Sequence, residues 1–495
     1  MNRFYSTFFK SKLVIAGFVF GTQLSLAQGY DDPLTVQGLD QNTMHSAASR
    51  GAGGITIGIQ NDVSLMFTNP ALLQSLKHVQ FSAGGLYQNS DLGQVQRYSP
   101  LKYYSNFSLL MEGLTGNIGT PAVNSDTTLN AGDTVQRAYD NIAPNWSRSR
   151  NKSVPVQAFV GVPFSIGEIK FSAGIGAAQY ADLDHYYQNN NVLSPAIGNE
   201  RPLPVALPAS DSTPVETNWA SYYRSREGTI DGYGVALSVS LSEKLSFGIS
   251  GMMLNGTTDD VEQRIERGRL VFFRQYFRLD SVYGHITKTG TSDYSGQEFT
   301  LSGTYRGPYV NLGFSVKPPT TITRKYNSQV LIDTNGVAST STESGEDNIE
   351  LPWRGTVGLS IAVTDNLLLG LEYEIRSYAS AVYTKSDGTE VKPWLSSSVL
   401  RIGAEYNPLA WLALRAGVRE QAEVFEPTGN PLIGEPVHHS IYSAGCGVMF
   451  EGIRFNVTYE YAAMKYNEAW QTNINYNTNT RNSIIADVAY TVSWM

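Results

Sequence analysis

Cysteine is nearly absent from this chain of 495 residues: Cys446 stands alone, so no internal disulfide can form. Charged residues make up only 16%, and a net charge of -8 gives no basic surface for nucleic acid. The histidines are scattered, and no metalloprotease, serine-hydrolase or Walker motif occurs, so we expect no enzyme activity, cofactor or metal site. After residue 27 no apolar run reaches 18 residues, which excludes a transmembrane helix.

The first 27 residues are typical of a signal peptide. Arg3, Lys10 and Lys12 precede a mostly apolar stretch at 13–26, and Ala27 closes a small-residue cleavage site. A membrane anchor is the alternative, but the apolar stretch is shorter than the roughly 20 residues that span a bilayer. The sequence therefore predicts export.

From residue 79 onward, apolar and polar residues alternate in segments of roughly ten residues, which is the length of a tilted membrane-spanning strand. In one segment the apolar residues are Phe455, Val457, Tyr459 and Tyr461, with polar residues between them. Residues 367–376 and 411–420 repeat the pattern. A mean hydropathy of -0.21 fits such strands, because alternation cancels in an average.

Tight turns join many of these segments in pairs. The six turns are at 165–167, 242–244, 318–319, 364–366, 407–409 and 451–452. The stretches 89–153, 182–228, 258–305, 333–350, 381–395, 422–437 and 467–482 are predicted to be long polar loops. Twelve paired strands, with 79–88 and 483–494 added, make fourteen.

Short connections at one end and long ones at the other are typical of an outer-membrane barrel. The predicted fold class is therefore all-β, a 14-stranded antiparallel transmembrane β-barrel. A soluble β-propeller would carry a blade-length repeat, and we find none. A set of β-sandwiches would not place tight turns at every second connection.

Residues 47–73 form a glycine-rich stretch with little charge that ends in Asn-Pro-Ala. Gly51, Gly53 and Gly54 permit close backbone approaches that a Cβ atom would block. The stretch is not a dinucleotide fingerprint, because Thr56 replaces the third glycine and no βαβ pattern follows. It is neither a clean helix nor a clean strand.

This stretch resembles the N-terminal hatch of the FadL-type family of outer-membrane transporters. The matching residues are Arg50, Gly51, Gly53, Gly54, Asp62, Phe67, Asn69, Pro70 and Ala71. Leu72 stands where the family pattern has glycine. After the signal peptide at 1–27, the resemblance implies a plug at 28–78 inside the lumen and a barrel at 79–495 in the outer membrane.

Charged residues fall on the polar faces of four strands in the last third of the chain. They are Glu372, Glu374, Arg376, Arg401, Glu405, Arg415, Arg419, Arg454 and Glu460. In an open pore they would line water. In a plugged barrel they would pair with one another and with the plug, and this second interpretation is preferred because the signs are mixed.

Two further features allow two interpretations each. Gly174 and Gly176 indicate either close packing against the plug or the kinked third strand that releases ligand sideways in the FadL-type family. The first outer loop contains apolar residues at the spacing of an amphipathic helix: Tyr103, Tyr104, Phe107, Leu109, Leu110, Met111 and Leu114. We take Tyr104, Phe107, Leu110, Met111 and Leu114 as a candidate capture surface for greasy ligands, the alternative being a fold onto the barrel mouth.

The resemblance implies a passive channel that takes up hydrophobic small molecules, either fatty-acid-like or hydrocarbon. Its expected partners are outer-membrane lipids and the hydrophobic ligand, with no nucleic acid, and the barrel is expected to be monomeric. The rival hypothesis is a FadL-like barrel that binds a secreted or surface protein, as in the outer-membrane component of type IX secretion. A structural barrel without cargo is the third hypothesis.

Overall fold

A computed structural model describes residues 38–40, 46–98, 142–194, 210, 212–273, 277–280, 284–334, 336–427, 435–470 and 473–492. Twenty β-strands occur in these ranges. They are β1 Val79–Tyr98, β2 Trp146–Ile166, β3 Ile169–Asp182, β4 His185–Ser194, β5 Val215–Ser240, β6 Leu245–Phe272, β7 Phe277–Asp280, β8 Gly284–Arg306, β9 Val310–Lys317, β10 Thr320–Thr334, β11 Val337–Leu351, β12 Arg354–Thr364, β13 Leu367–Arg376, β14 Val382–Thr384, β15 Glu390–Val391, β16 Ser397–Leu409, β17 Leu412–Ala422, β18 His438–Phe450, β19 Ile453–Trp470 and β20 Asn473–Val492.

The strands form one closed antiparallel wall. Some consecutive strands share a position in it, because both members pair with the same neighbouring position: β3 with β4, β7 with β8, β9 with β10, β11 with β12, β13 with β14, and β15 with β16. The wall therefore has fourteen positions, and β20 pairs with β1 from Val79↔Val492 to Tyr98↔Asn473 to close it. The predicted 14-stranded antiparallel barrel is confirmed.

One of the predicted tight turns is wrong. Pro318-Pro319 does not reverse the chain, because β9 before it and β10 after it both pair with β8. Proline cannot donate to the ladder, but its φ angle suits an extended chain, so the strand position continues. The actual turn follows Arg306, where the Gly307 N–H donates to the Val310 carbonyl at 2.9 Å.

The prediction of a long loop at 258–305 is also wrong. It contains the end of β6 and nearly all of β8. Two errors therefore cancelled in the count: one strand position was divided in two at the prolines, and β8 was missed. The first half of β8 carries Thr289, Thr291 and Asp293 on its exposed face, so it lacks the apolar alternation that reveals a membrane strand.

An apolar belt circles the outside of the barrel next to the tight turns. On β13 the exposed side chains are Leu369, Leu371, Tyr373 and Ile375, and on β19 they are Phe455, Val457, Tyr459 and Tyr461. The alternation predicted for these two strands is confirmed. The strands β5 and β6, with 26 and 28 residues, continue far beyond the belt. We call the part of the wall beyond the belt the extension.

Residues 46–78, here called the inner segment, lie inside the wall. They contain one α-helical turn, α1 Ala47–Gly51, and 3-10 turns at Val63–Leu65 and Pro70–Ser75. The segment is hydrogen-bonded to inward-facing residues around the barrel, as in Ala47 N–H to Asp487 at 2.8 Å and Ala71 N–H to Ser302 at 2.8 Å. Among the described residues, no helix has the length and apolarity to span a membrane.

Candidate functional site

Asp62 holds the inner segment together. Its carboxylate caps the 3-10 turn at Val63–Leu65 by accepting from the Ser64 N–H at 3.0 Å. The same carboxylate accepts from the Ser46 hydroxyl at 2.6 Å, and Ser46 is the N-cap of α1. One acidic side chain therefore joins the two turns, and Arg454 of the wall lies 3.7 Å from it.

The glycines of the inner segment stand where its backbone touches the wall. Gly53 has φ +71°, and a Cβ atom there would lie 2.5 Å from the Ile402 carbonyl oxygen. Gly54 also has positive φ, at +90°. A Cβ at Gly51 would lie 2.7 Å from Thr458 Oγ1. Residues with side chains do not fit this contact, which explains the glycine-rich sequence.

The Asn-Pro-Ala signature forms the start of the second 3-10 turn. Pro70 occupies the first position of the turn, where no amide donor is needed. Ala71 donates to Ser302, and the Phe67 carbonyl accepts from Thr300 at 3.1 Å. Phe67 is buried against Phe159 in an edge-to-face contact with ring centroids 5.6 Å apart. Asn69 is buried beside them.

The predicted lumen charges are brought together as shared ion pairs. Glu374 binds Arg376 at 2.7 Å and also Arg401. Glu460 binds Arg419 at 2.5 Å and also Arg50 of the inner segment. Each of these two carboxylates thus forms ion pairs with two guanidinium groups.

Other predicted lumen residues bind the inner segment or each other. Glu372 accepts from the N–H groups of Thr56 and Ile57 at 2.5 and 2.7 Å. Arg415 pairs with Glu405 at 2.7 Å. With Arg454 near Asp62, each of the nine predicted residues therefore contacts either another of the nine or the inner segment.

Sequence reasoning missed a third shared carboxylate. Glu298 on β8 is fully buried and binds Lys317 at 2.5 Å and Arg354 at 2.7 Å. The Tyr180 hydroxyl donates to it at 2.9 Å. The reason is that Glu298 lies within 258–305, where the sequence pattern predicts a loop. The alternation of Glu298, Thr300, Ser302 and Thr304 with Phe299, Leu301 and Tyr305 is the signal that could have revealed it.

These charges line a central cavity of about 180 Å³ between the inner segment and the wall. The basic residues that line it are Arg50, Lys317, Arg354, Arg376, Arg401, Arg419 and Arg481. The acidic residues that line it are Asp182, Glu372, Glu374 and Glu460. Cations therefore outnumber carboxylates at the cavity surface.

An apolar cluster adjoins the cavity, and Phe67, Tyr180 and Met252 belong to both. The cluster continues through buried residues of the inner segment, the wall and the stretch after β13: Met66, Leu73, Phe159, Leu183, Ile230, Leu254, Tyr294, Ile322, Ile349, Leu351, Tyr378 and Trp394. The site thus offers a charged end and an apolar body.

The wall shows no break at Gly174 or Gly176. Gly174 pairs with Gly161 of β2 and Ala236 of β5, and Gly176 pairs likewise on both sides. A Cβ at Gly174 would lie 3.1 Å from Met66 Sδ, so this glycine allows the inner segment to pack closely. The irregularity of β3 lies at Tyr180, where the register with β5 shifts.

Two predictions lie outside the described residues. One is the candidate capture surface of Tyr104, Phe107, Leu110, Met111 and Leu114, and the other is the signal peptide at 1–27. Residues 28–37 and 41–45 of the predicted plug also lie outside them.

The sequence matches no protein-family model and no curated protein. The structure resembles a FadL homologue of Pseudomonas aeruginosa at 12% identity and TM-score 0.58, covering 91% of this chain and 100% of that one. It resembles the P. putida toluene transporter TodX at 12% identity and TM-score 0.55, covering 92% and 100%. It also resembles the Ralstonia pickettii toluene transporter TbuX at 13% and 0.51, covering 90% and 98%. The fold of this chain is that of the FadL family.

Proposed function

We propose that the protein is an outer-membrane channel for passive uptake of hydrophobic small molecules, with the inner segment as its plug. The observation that carries this proposal is the central cavity, where an apolar cluster meets a cation-rich surface inside a closed barrel. The solved structures of the same fold include two toluene transporters, which supports a transport role.

The outer surface supports the location. The exposed apolar side chains on β13 span Leu369 to Ile375, and similar rows occur on the neighbouring strands. About 9–11 tilted residues cross a bilayer, so such a row covers most of its apolar thickness. The tight turns then face the periplasm, and the extension projects outward.

The charge balance favours one ligand class within the hydrophobic compounds. Glu374, Glu460 and Glu298 are each shared by two cations, and one carboxylate balances only one of the two charges, so positive charge is left at the cavity surface. Buried charge without a partner is costly, and an anionic head group would compensate it. The ligand we favour is therefore fatty-acid-like, with an acidic head and an apolar body, rather than a plain hydrocarbon.

Passage would proceed from the extension to the cavity and then past the plug. Burial of the apolar body contributes about 25 cal/mol for each Å² removed from water, and no energy source is required. Because β3 pairs continuously at Gly174 and Gly176, we favour release by a shift of the plug over release through a gap at these glycines. The rival role, binding of a partner protein, has no feature in its favour among the described residues.

Arg481 provides the test. It lines the cavity and, within the described part of the chain, forms no ion pair. In liposomes containing the protein, Arg481→Gln should weaken oleate uptake about tenfold or more, since a charge-assisted hydrogen bond contributes about 1.5–3 kcal/mol. Toluene uptake should not change.

Lys465→Gln is the matched control, because it removes one positive charge from an exposed position on β19. It should leave both uptake rates unchanged. Equal loss of oleate and toluene uptake in Arg481→Gln would argue against an acidic head group. Absence of any uptake by the unmodified protein would reject the channel and leave partner binding as the next hypothesis.

A further inference from the structure

A second cavity of about 250 Å³ lies in the extension, away from the central cavity. Its walls come from β6, β8, β10 and β11, and the hairpin of β14 and β15 covers it. The lining residues are Asp260, Glu262, Lys288, Arg324, Tyr326, Ser328, Asp347, Tyr383, Lys385, Ser386 and Asp387. Apart from the two tyrosine rings, these side chains are polar.

Arg324 organises the floor of this second cavity. Its guanidinium donates to Asp347 at 2.8 Å and to Ser292 at 2.9 Å, and it lies 3.5 Å from Asp260. Asp260 also accepts from Arg226 at 3.0 Å. All of these groups are buried and bonded to one another, so the floor is rigid and its charges are already balanced.

The hairpin forms the roof through a few directed contacts. The Tyr383 hydroxyl donates to Asp347 at 2.8 Å, and the Ser386 N–H donates to the same carboxylate at 3.0 Å. The hydroxyls of Tyr326 and Ser386 are 3.1 Å apart. The cavity is thus held between two elements that are distant in sequence, and it is a built feature of the extension.

Its chemistry excludes most ligand classes. A lining in which every side chain ends in a polar or charged group does not suit a hydrocarbon. Four acidic residues (Asp260, Glu262, Asp347 and Asp387) face three basic ones (Lys288, Arg324 and Lys385), so no excess of positive charge attracts an anion. No group of three His, Cys, Asp or Glu residues within the described ranges could hold a metal ion.

We propose that this second cavity binds a neutral sugar residue. The Ser328 hydroxyl and the Lys385 ammonium group have no hydrogen-bond partner within the described ranges, so both can bond to ligand hydroxyls. Tyr326 and Tyr383 add aromatic surface to the lining, and Arg324 lies over the Tyr326 ring at 4.6 Å from its centroid, so apolar and donor groups alternate as they do around a pyranose ring. The lining alternates hydrogen-bond donors with acceptors, and sugar hydroxyl groups can both donate and accept hydrogen bonds.

Such a sugar has two sources: a free saccharide outside the cell, or the glycolipid of the surrounding outer leaflet. Both present the same chemistry to the cavity. The proposal does not depend on the transport function, because none of the cavity-lining residues touches the central cavity.

The experiment measures saccharide binding to the purified full-length protein in detergent by saturation-transfer NMR. The probes are glucose, galactose, mannose and maltose, with delipidated lipopolysaccharide core as a separate arm. Binding of the small sugars supports a free saccharide, and binding of the core alone supports the glycolipid. No binding in either arm overturns the proposal.

Two variants locate the site. Ser328→Leu fills the cavity, and Lys385→Ala removes a donor from the exposed hairpin turn, where folding is not at risk. Each should weaken binding at least fivefold. Lys325→Ala, next to Arg324 on the exposed face of β10, should bind like the unmodified protein. Binding that survives Ser328→Leu and Lys385→Ala unchanged would place the sugar elsewhere and refute the assignment, whereas oleate uptake should be normal in all three variants.

Discussion

At Gly53 two physical effects combine, and they can be separated. The residue has φ +71°, and a Cβ atom would lie 2.5 Å from the Ile402 carbonyl oxygen. Gly336 has φ +82° with open space around it. We expect Gly336→Ala to cost about 1 kcal/mol of unfolding free energy from the left-handed conformation alone. Gly53→Ala should cost about 1–3 kcal/mol more from overpacking.

Thermal unfolding of the purified variants in detergent gives this comparison, with protease sensitivity of the inner segment as a second readout. Gly53→Ala should also expose the inner segment to protease, and Gly336→Ala should not. Equal destabilisation of the two variants would show that the contact with Ile402 contributes nothing.

Individual site residues were predictable where they belonged to a strand with clear alternation. Glu374 and Glu460 lie between exposed apolar residues, so their inward direction followed from the period of two. Their partners did not follow, because a carboxylate shared by two strands, or by a strand and the inner segment, depends on how the wall closes. Arg50 was predicted from the resemblance, yet its contact with Glu460 spans 410 positions in the sequence.

At the scale of the element, β8 is the strand that the sequence failed to predict, since nearly all of it lies in the predicted loop at 258–305. Phe299, Leu301 and Thr289 all point outward from it, but only the first two lie in the apolar belt. In a Cys446→Ser background, we expect cysteine at 299 or 301 to resist a membrane-impermeant maleimide on whole cells. Cysteine at 289 should react, because it lies in the extension.

Labelling of all three positions at similar rates would support the loop that alternation alone predicted for 258–305. All three cysteines lie on the same face of the same strand, so a difference in folding between variants would not explain different labelling rates. Unfolded protein, labelled in denaturant, gives the full reactivity of each cysteine.

Element boundaries were hardest to predict in the extension. There both faces of a strand meet polar surroundings, so the period of two carries no contrast in hydrophobicity. The strands β5 and β6 were each predicted at about half of their observed 26 and 28 residues for this reason. At the prolines 318–319 the error was the opposite one, because a turn was predicted where one strand position continues. From local sequence alone, a gap in the hydrogen-bond ladder looks like a turn.

At the scale of the whole molecule, the wall and the inner segment complete each other. The inner segment covers Glu372 of the wall and also supplies its donors, the N–H groups of Thr56 and Ile57, so neither partner is buried without a hydrogen bond. Asp62 and Arg50 likewise meet wall residues of opposite charge. Turn spacing gave the count of fourteen only because the false turn at 318–319 offset the missed β8, and this complementarity appears only once the barrel is closed.

Movement of the inner segment can be blocked by a disulfide between the segment and the wall. The hydroxyls of Ser64 in the segment and Ser82 in β1 are 3.2 Å apart, so Ser64→Cys with Ser82→Cys places two sulfur atoms near bonding distance in a Cys446→Ser background. If the ligand leaves by a shift of the segment, oxidation should reduce oleate uptake into liposomes at least fivefold, and reduction should restore it. Each single cysteine variant should be insensitive to the oxidant, which controls for damage to the wall.

Uptake that continues at full rate with the disulfide formed would mean that the middle of the segment stays in place during transport. The ligand would then have to leave through the wall, and the register shift of β3 at Tyr180 would be the first place to examine. The oxidised and reduced proteins differ in one bond at a defined contact. The comparison therefore distinguishes a moving plug from a fixed one without altering the charges or the apolar surface of the central cavity.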